Sequence, residues 1–335
     1  MGTRGERMSS RQVEPDVLAP DDAVEQVVAL ACLAPSVHNT QPWLWRYDGR
    51  RLTLQADRRR QLDAEDPLGR NLTISCGAAL HHLQFAAEAL GWDTEVEVMP
   101  VADTFPVLAR AVISRGGEQP TRPADLTVLQ ERCTDRRRFT AWPVPEDRLE
   151  RLCLVASLWG AEATAVTEDA ARFRLELLAN QATTAASLEP GRRREQERWL
   201  SRTGSDGIPR DLLPDDPAPA HPRSRFRPAV VEDTRLAVHS GDRVIVLGGT
   251  TDDPAAWLRT GRALSALWLE ATREGISVVP MSQPIELEDV RRSIADDVLR
   301  GAFEPHALLA VGWQALGRRD QPHTPRRPLA EVLWR

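Results

Sequence analysis

The sequence contains no lysine; all 43 of its basic residues are arginine. That absence excludes a Schiff-base lysine, a P-loop lysine and a kinase-type ATP lysine, because each chemistry needs a primary amine. Any phosphate site must be built from backbone and from arginine, whose guanidinium grips phosphate with a fixed fork of donors. Cysteine is scarce, and Cys32, Cys76, Cys133 and Cys153 form no C-x-x-C pair. Cys32, Cys76 and Cys153 sit in apolar helical runs and read as buried thiols, not as a disulfide frame or a zinc site. There is no G-x-G-x-x-G, so the dinucleotide fingerprint of a Rossmann domain is missing, and no H-E-x-x-H. His81 and His82 are adjacent, point about 100° apart on a helix and cannot chelate one metal from one face; they are expected to flank a helical core face. No apolar run approaches about 20 residues, so no membrane span is expected. Met1–Asp21 has no hydrophobic signal core, and a soluble cytoplasmic protein is expected. The net charge is −6, which leaves no overall basic field directed at nucleic acid.

What is present is a 335-residue chain with 41% hydrophobic residues, enough for one large domain or two ordinary ones around a proper core. Residues 1–20 read as a flexible tail. A helix is expected from Asp21–Asp22, whose carboxylates suit a helix N-terminus, to just before Pro35. Trp43–Tyr47 and Leu52–Ala56 alternate across Asp48-Gly49 as a hairpin. A long helix over Leu72–Leu90 and strands near Glu95–Met99 and Val107–Ser114 follow. Beyond a loop with Gly116, Gly117 and Pro120, helices are expected at Ala124–Cys133, Pro145–Leu158 and Asp169–Ser187, with a strand at Ala163–Val166. Residues 188–230 hold seven prolines and few aliphatics and read as a linker or a long surface excursion. Strand Arg243–Leu247, helix Asp253–Glu274, strand Ile276–Val279, helix Glu286–Leu299 and strand Ala307–Val311 complete the pattern before a basic tail, Leu316–Arg335.

Two of these helices repeat each other. Residues 77–91 and 261–275 both fit G-x-A-L-x-x-L-x-x-x-A-x-x-x-G at identical spacing. The Leu and Ala positions fall on one helical face, and the closing glycine suits a left-handed helix end. Two related helix–strand modules suggest a fused pair of similar subunits, or else two ordinary amphipathic helices that match by chance, and the small residues would let the two helices pack closely.

Four segments carry candidate chemistry. Pro35–Trp43 packs Ser36, Val37, His38, Asn39, Thr40 and Gln41 between Pro35 and Pro42; its donors and acceptors suit a flat heteroaromatic ligand, or else form an Asx/ST-type turn capping a strand. It is a poor Ser-His nucleophile pair, with no G-x-S-x-G turn. Arg132-Cys133-Thr134-Asp135-Arg136-Arg137-Arg138-Phe139 is either a dianion site or a solvated basic face. Gly275–Glu286 breaks a strand into a turn at Pro280-Met281-Ser282-Gln283-Pro284, which either presents backbone N–H groups to a ligand or simply connects strand to helix. His323–Leu329 is a basic arm, either a contributor to such a site or simply solvated.

Together these segments resemble the nitroreductase superfamily of flavin enzymes. Residues 34–43 are similar to its A-P-S-x-x-N-x-Q-P-W loop, and Arg132–Phe139 to its R-x-S-x-R-x-F segment, with Thr134 for Ser and one extra residue. Gly275–Pro280 resembles its G-L-G-x-x-P turn, and Pro325–Leu329 its C-terminal R/K-P-L arm. Ser36–Trp43, Asp66–Arg70, Ser75–Ala78 and Ser282–Glu286 further resemble the actinobacterial Acg-type branch, in which two nitroreductase-like halves are fused.

The resemblance implies an α+β, nitroreductase-like fold: two fused halves, residues 21–120 and 121–335, forming a pseudo-dimer with a long central helical core and antiparallel or mixed sheets. It implies one composite FMN site. Arg132, Thr134, Arg136 and Arg326 would hold the phosphate, the extra residue leaving open which of Arg136–Arg138 reaches it. Pro35, Ser36, Val37, His38, Asn39 and Gln41 would serve the flavin's ring system, and Pro280, Met281 and Ser282 would approach N5. No catalytic side chain is implied, because the flavin carries hydride from NAD(P)H to a small organic acceptor. The branch also implies that 188–230 is a lid. Alternatives to an FMN-dependent NAD(P)H oxidoreductase are a flavin-sequestering protein with little turnover, and a specialised oxidase or reductase of one metabolite. The expected partner is a small molecule, not nucleic acid or membrane. The chain would act as a monomer through its internal pseudo-dimer, or associate further as a homodimer.

Overall fold

A computed structural model describes residues 18–99, 107–115, 121–136, 139–200, 202, 204–212, 243–314 and 323–335. The expected tail over 1–17, the loop with Gly116, Gly117 and Pro120, Arg137, Arg138, and residues 213–230 and 316–322 lie outside the described residues. The tail reading ends at Leu18, which bridges Ser114.

The first half of the chain runs α1 (Asp21–Ala31), β1 (Trp43–Tyr47), β2 (Leu52–Ala56), α2 (Arg70–Ala89), β3 (Trp92–Val98) and β4 (Val107–Arg115). Next come α3 (Pro123–Glu131), α4 (Glu146–Ser157), β5 (Glu162–Val166), α5 (Asp169–Leu188) and α6 (Pro190–Trp199). The remainder is β6 (Arg243–Gly249), α7 (Pro254–Arg273), β7 (Ser277–Met281), α8 (Gln283–Glu286), α9 (Glu288–Ser293), β8 (Glu304–Gly312), α10 (Leu329–Val332) and β9 (Leu333–Trp334). One sheet has the order β3-β4-β2-β1-β9 and the other β5-β6-β8-β7. All pairings are antiparallel except β9, which joins β1 in parallel with Leu333 opposite Trp45. The C-terminal segment therefore crosses back to the first sheet.

The core follows the sequence periodicities. Trp43, Trp45 and Tyr47 point inward from β1 while Arg46 points to solvent, the period of a half-buried strand. Helices α2 and α7 are different: nearly every side chain over Arg70–Leu83 and Gly261–Thr272 is buried, because these two helices pack on each other between the two sheets. The contact is set by the first glycine of each repeat copy. A Cβ added at Gly77 would overlap the Leu258 carbonyl oxygen and lie 3.0 Å from the Gly261 Cα, and one added at Gly261 would overlap the Ile74 carbonyl oxygen. Equivalent positions of the two copies thus meet each other, as residues at a two-fold axis must.

His81 and the residue matching it in the second copy, Ser265, are also partners. Ser265 Oγ lies 2.7 Å from His81 Nδ1 and 2.7 Å from His82 Nδ1, so the hydroxyl donates to one ring and accepts from the other. Both rings are buried. Burial, with Arg262 and Arg273 nearby, pushes His81 down to about 3, and burial beside Arg132 carries His82 well below the ordinary imidazole range. The two histidines lie inside the helix–helix contact as neutral hydrogen-bonding groups.

Element boundaries shift by a few residues from those expected, and three readings change. The helix expected over 286–299 starts earlier at Gln283, where Pro284 suits a first turn, breaks at the extended Leu287, and resumes as α9 followed by a π turn at Ile294–Val298. Residues 190–199 form helix α6 and are not a linker; Pro190 opens it and buried Trp199 closes it. Cys32 and Cys76 are buried free thiols as read, whereas Cys153 is only half-buried. Among the described residues no helix is long and apolar enough to cross a membrane, and no cluster of potential ligands could hold a metal.

Replacing Gly77 or Gly261 by Ala is expected to lower stability by about 1–3 kcal/mol or more, read as a lower urea midpoint at unchanged slope. Because His81 and His82 stay neutral in the fold, the unfolded chain binds more protons below about pH 6.5. Stability should therefore fall as pH drops from there, by roughly 1 kcal/mol per pH unit for each ring, and His81→Gln should flatten that dependence in denaturant titrations.

Candidate active site

The Pro35–Trp43 loop is held in an uncommon backbone. His38, Asn39 and Gln41 have φ of 44°, 55° and 49°, left-handed values that cost an ordinary residue energy and persist only when surrounding contacts fix them. Those contacts are present. Ser36 Oγ accepts from Gln41 N at 2.9 Å, Ser75 Oγ of α2 accepts from Val37 N at 3.2 Å, and Arg60 Nε donates to the Thr40 carbonyl at 2.5 Å.

Against this loop lies a cavity of about 530 Å³. Of the residues expected from sequence, Pro35, Ser36, Val37, His38, Asn39, Arg132, Thr134, Arg136, Pro280, Met281, Ser282 and Arg326 all line it. Gln41 does not. Its side chain is fully buried behind the loop, where Oε1 accepts from Arg327 N at 2.8 Å and Nε2 donates to the Ser205 carbonyl at 2.9 Å. It fastens the C-terminal arm and the 204–212 segment to the loop. Arg137 and Arg138 lie outside the described residues.

One end of the cavity is cationic. Arg132 is buried, stacks over Trp268 with 4.8 Å from guanidinium carbon to ring centroid, and donates to the Leu33 carbonyl at 3.1 Å. Arg326 donates to the Leu33 carbonyl at 3.0 Å, Asn39 Oδ1 at 3.2 Å and Thr324 Oγ1 at 2.7 Å. Among the described residues it has only neutral acceptors, and its buried Nε has none. Burial draws its guanidinium down to about 10. His323 beside them is pushed down by burial and by both arginines. A guanidinium partly withdrawn from water without an anion is costly, so this end is suited to a negatively charged group.

Another part of the wall is acidic, and its central residue, Glu65, was not singled out from the sequence. Glu65 Oε2 lies 2.8 Å from His38 Nε2, and Ser282 Oγ lies 3.3 Å from Glu65 Oε1. Burial alone would raise the Glu65 carboxyl, but the His38 charge and hydrogen bond reverse the sign and it is held low. Burial would likewise depress His38, and Glu65 overcomes it, raising the ring above its ordinary value. Nearby, burial pushes Asp66 up to about 6 against the N–H groups that open α2. Burial and the Asp66 charge carry Glu286 well above the usual carboxylate range, and Asn71 Nδ2 donates to it. The sequence signals for this wall were the family-like Asp66–Arg70, Ser75–Ala78 and Ser282–Glu286 stretches, the last of which holds Ser282 and Glu286 themselves.

The cavity's outer side is covered from 190–212. Gln196, Leu200, Ile208 and Leu212 line it. Asn39 Nδ2 donates to the Gly207 carbonyl at 2.9 Å, Gly207 N donates back to the Asn39 carbonyl at 3.2 Å, and Arg60 pairs with Asp206. Trp199 lies under Arg202, with 4.5 Å from guanidinium carbon to ring centroid.

No family model matches the chain. Among curated proteins, "Putative NAD(P)H nitroreductase Rv3131" of Mycobacterium tuberculosis strain H37Rv is 35% identical over 324 residues, covering 94% of this chain and 92% of the relative. "Putative NAD(P)H nitroreductase acg" of the same strain is 32% identical over 340 residues, covering 95% and 97%. The chain belongs to the nitroreductase family. It falls with the Acg-type members, with which it aligns over nearly its whole length. Two solved nitroreductases are also similar. That of Bacteroides fragilis with bound FMN has a TM-score of 0.40 and 14% identity, covering 61% of this chain and 93% of its own. The FMN-dependent nitroreductase NfnB of Mycobacterium smegmatis in complex with NADPH has a TM-score of 0.40 and 15% identity, covering 63% and 96%.

In this nitroreductase-family chain, Gln41→Ala would leave Arg327 N and the Ser205 carbonyl unpaired in a buried place. It is expected to cost about 1–3 kcal/mol and to speed proteolytic cleavage within 202–212, measured by limited digestion and mass spectrometry.

Proposed function

We propose that this protein binds FMN in the cavity and passes reducing equivalents from NAD(P)H to a small organic acceptor. The observation that carries this reading is the convergence of four sequence-distant segments, 35–39, 132–136, 280–282 and Arg326, on one cavity that is cationic at one end. The names of the curated relatives, NAD(P)H nitroreductases, support the same activity. In this reading residues 21–120 and 121–335 act as the two halves of an internal pair, with 188–230 as a lid.

The residues present fit FMN. Arg326, half-buried, with its buried Nε unpartnered among the described residues, suits a phosphate dianion, with Arg132, Thr134 and Arg136 beside it. Ile74, Ala78, Leu264 and Leu308 give the cavity apolar faces for a flat ring system, and Asn39 and Ser75 give it polar edges. When bound, FMN supplies hydride transfer. The chain's own residues hold the phosphate, clamp the ring and limit entry of water through the 190–212 segment.

A second reading, flavin kept without rapid turnover, is favoured by the anchoring of Gly207 to Asn39 and Ser205 to Gln41. A segment fastened there would hinder a nicotinamide from stacking on the ring. Anaerobic mixing with NADPH and NADH separates the readings: bleaching of the visible flavin absorbance is expected for the first. Persistent yellow under excess of both overturns it in favour of the second. Purified protein should be yellow and release FMN on heating; a colourless protein that takes up no FMN would overturn both. The double variant Arg132→Ala, Arg136→Ala should raise the FMN dissociation constant by about 10–100-fold, measured by flavin fluorescence, and an unchanged constant would put the phosphate elsewhere.

A further inference from the structure

His38, whose ring lines the cavity, has two features that phosphate binding and ring binding do not use. Its Nε2 is 2.8 Å from Glu65 Oε2, and its Nδ1 has no hydrogen-bond partner among the described residues. Glu65 is itself fixed at both ends. Its side chain is 6% exposed, its other oxygen meets Ser282 Oγ at 3.3 Å, and its backbone N–H donates to Glu195 Oε2 of α6 at 2.9 Å. The positive φ of His38 aims the ring from a loop that cannot readily relax. A carboxylate bound to one imidazole nitrogen fixes the tautomer and leaves the other nitrogen to exchange a proton.

We propose that His38 is the proton donor to an acceptor that takes its proton on oxygen, such as a quinone, and that Glu65 is the residue that positions it. This rests on the FMN reading above. Two-electron reduction of such an acceptor adds one hydride, supplied by the reduced flavin, and one proton. The Nδ1–H bond of the imidazolium breaks, its electron pair stays on nitrogen, and an O–H bond forms on the acceptor. The neutral ring keeps its Nε2–H toward Glu65 and regains a proton from water. The charged groups around His38 are Glu65, Arg136 and, from α6, Glu195; Glu65 in turn faces Arg192 of α6 and Glu286 of α8. Their combined effect keeps the imidazolium populated to higher pH than in a free histidine, because the nearest of them is the carboxylate.

The test has two parts. In the ligand-free protein, the His38 ring followed by NMR should titrate above pH 6.5, and in Glu65→Gln it should fall by a unit or more; a wild-type ring titrating at or below 6.5 overturns the proposal. In the FMN-loaded protein reduced anaerobically with dithionite, reoxidation by p-benzoquinone should slow on the alkaline side of that same titration. His38→Gln should lose that pH dependence, and its reoxidation should slow at least 10-fold more than its reduction by NADPH. Equal slowing of both half-reactions, or an unaltered pH profile in His38→Gln, overturns the proposal while leaving FMN binding intact. Wild-type protein that takes up no FMN overturns the proposal through the reading beneath it, and is distinguished by that absence of binding. If either variant does not fold, coincidence of the wild-type ring titration with the alkaline limb decides, and a mismatch overturns the proposal.

Discussion

The close approach of α2 to α7 governs the rest of the architecture. Two glycines, Gly77 and Gly261, let the helix backbones touch where any side chain would collide with a carbonyl. That contact sets the separation of the two sheets. It also sets the distance across which Ser75 and Ala78 of one helix face Leu264 and Trp268 of the other along the cavity wall. A binding site between subunits normally depends on association; here both sides are tied to one covalent chain, so the site does not dilute with protein concentration.

The lysine-free composition acquires a structural meaning in the buried charges. Arg70 is 2% exposed, yet its guanidinium pairs with Asp252 at 2.7 Å and also lies over Trp257, at 5.2 Å to the ring centroid. Asp252 also accepts from Trp257 Nε1 at 2.6 Å and lies 3.4 Å from Arg291. Arg132 stacks on Trp268 in the same manner. A planar guanidinium can stack on an indole and donate in its own plane at once, whereas an ammonium offers a point charge. These are places where a lysine would not substitute.

Much of this was legible in the sequence because it depends on local chemistry. The hairpin of β1 and β2 shows in the alternation around Asp48-Gly49, and the paired helices in a shared spacing of Gly, Ala and Leu. The flavoenzyme-like loop shows in a run of ten residues. What could not be read depends on contacts between distant segments. Nothing around Glu65 announces that it meets His38, because the partner is supplied by the fold. Gln41 has the composition of a ligand contact but faces inward, its side chain taken up by Arg327 and Ser205. Helix α6 was hidden by its polarity: Trp199 and Glu195 are its buried side chains, too few to leave an amphipathic period.

The parallel pairing of β9 with β1 bears on how the molecule assembles. Trp45 meets Leu333 across almost the full length of the chain, so closing that pair carries one of the largest loop entropies in the protein. The segment that carries Arg326 to its place beside Leu33 ends in that same strand. The cationic end of the cavity should accordingly be among the last regions to consolidate during folding and the first to open in local unfolding, and a bound anion would shift both steps toward the closed form.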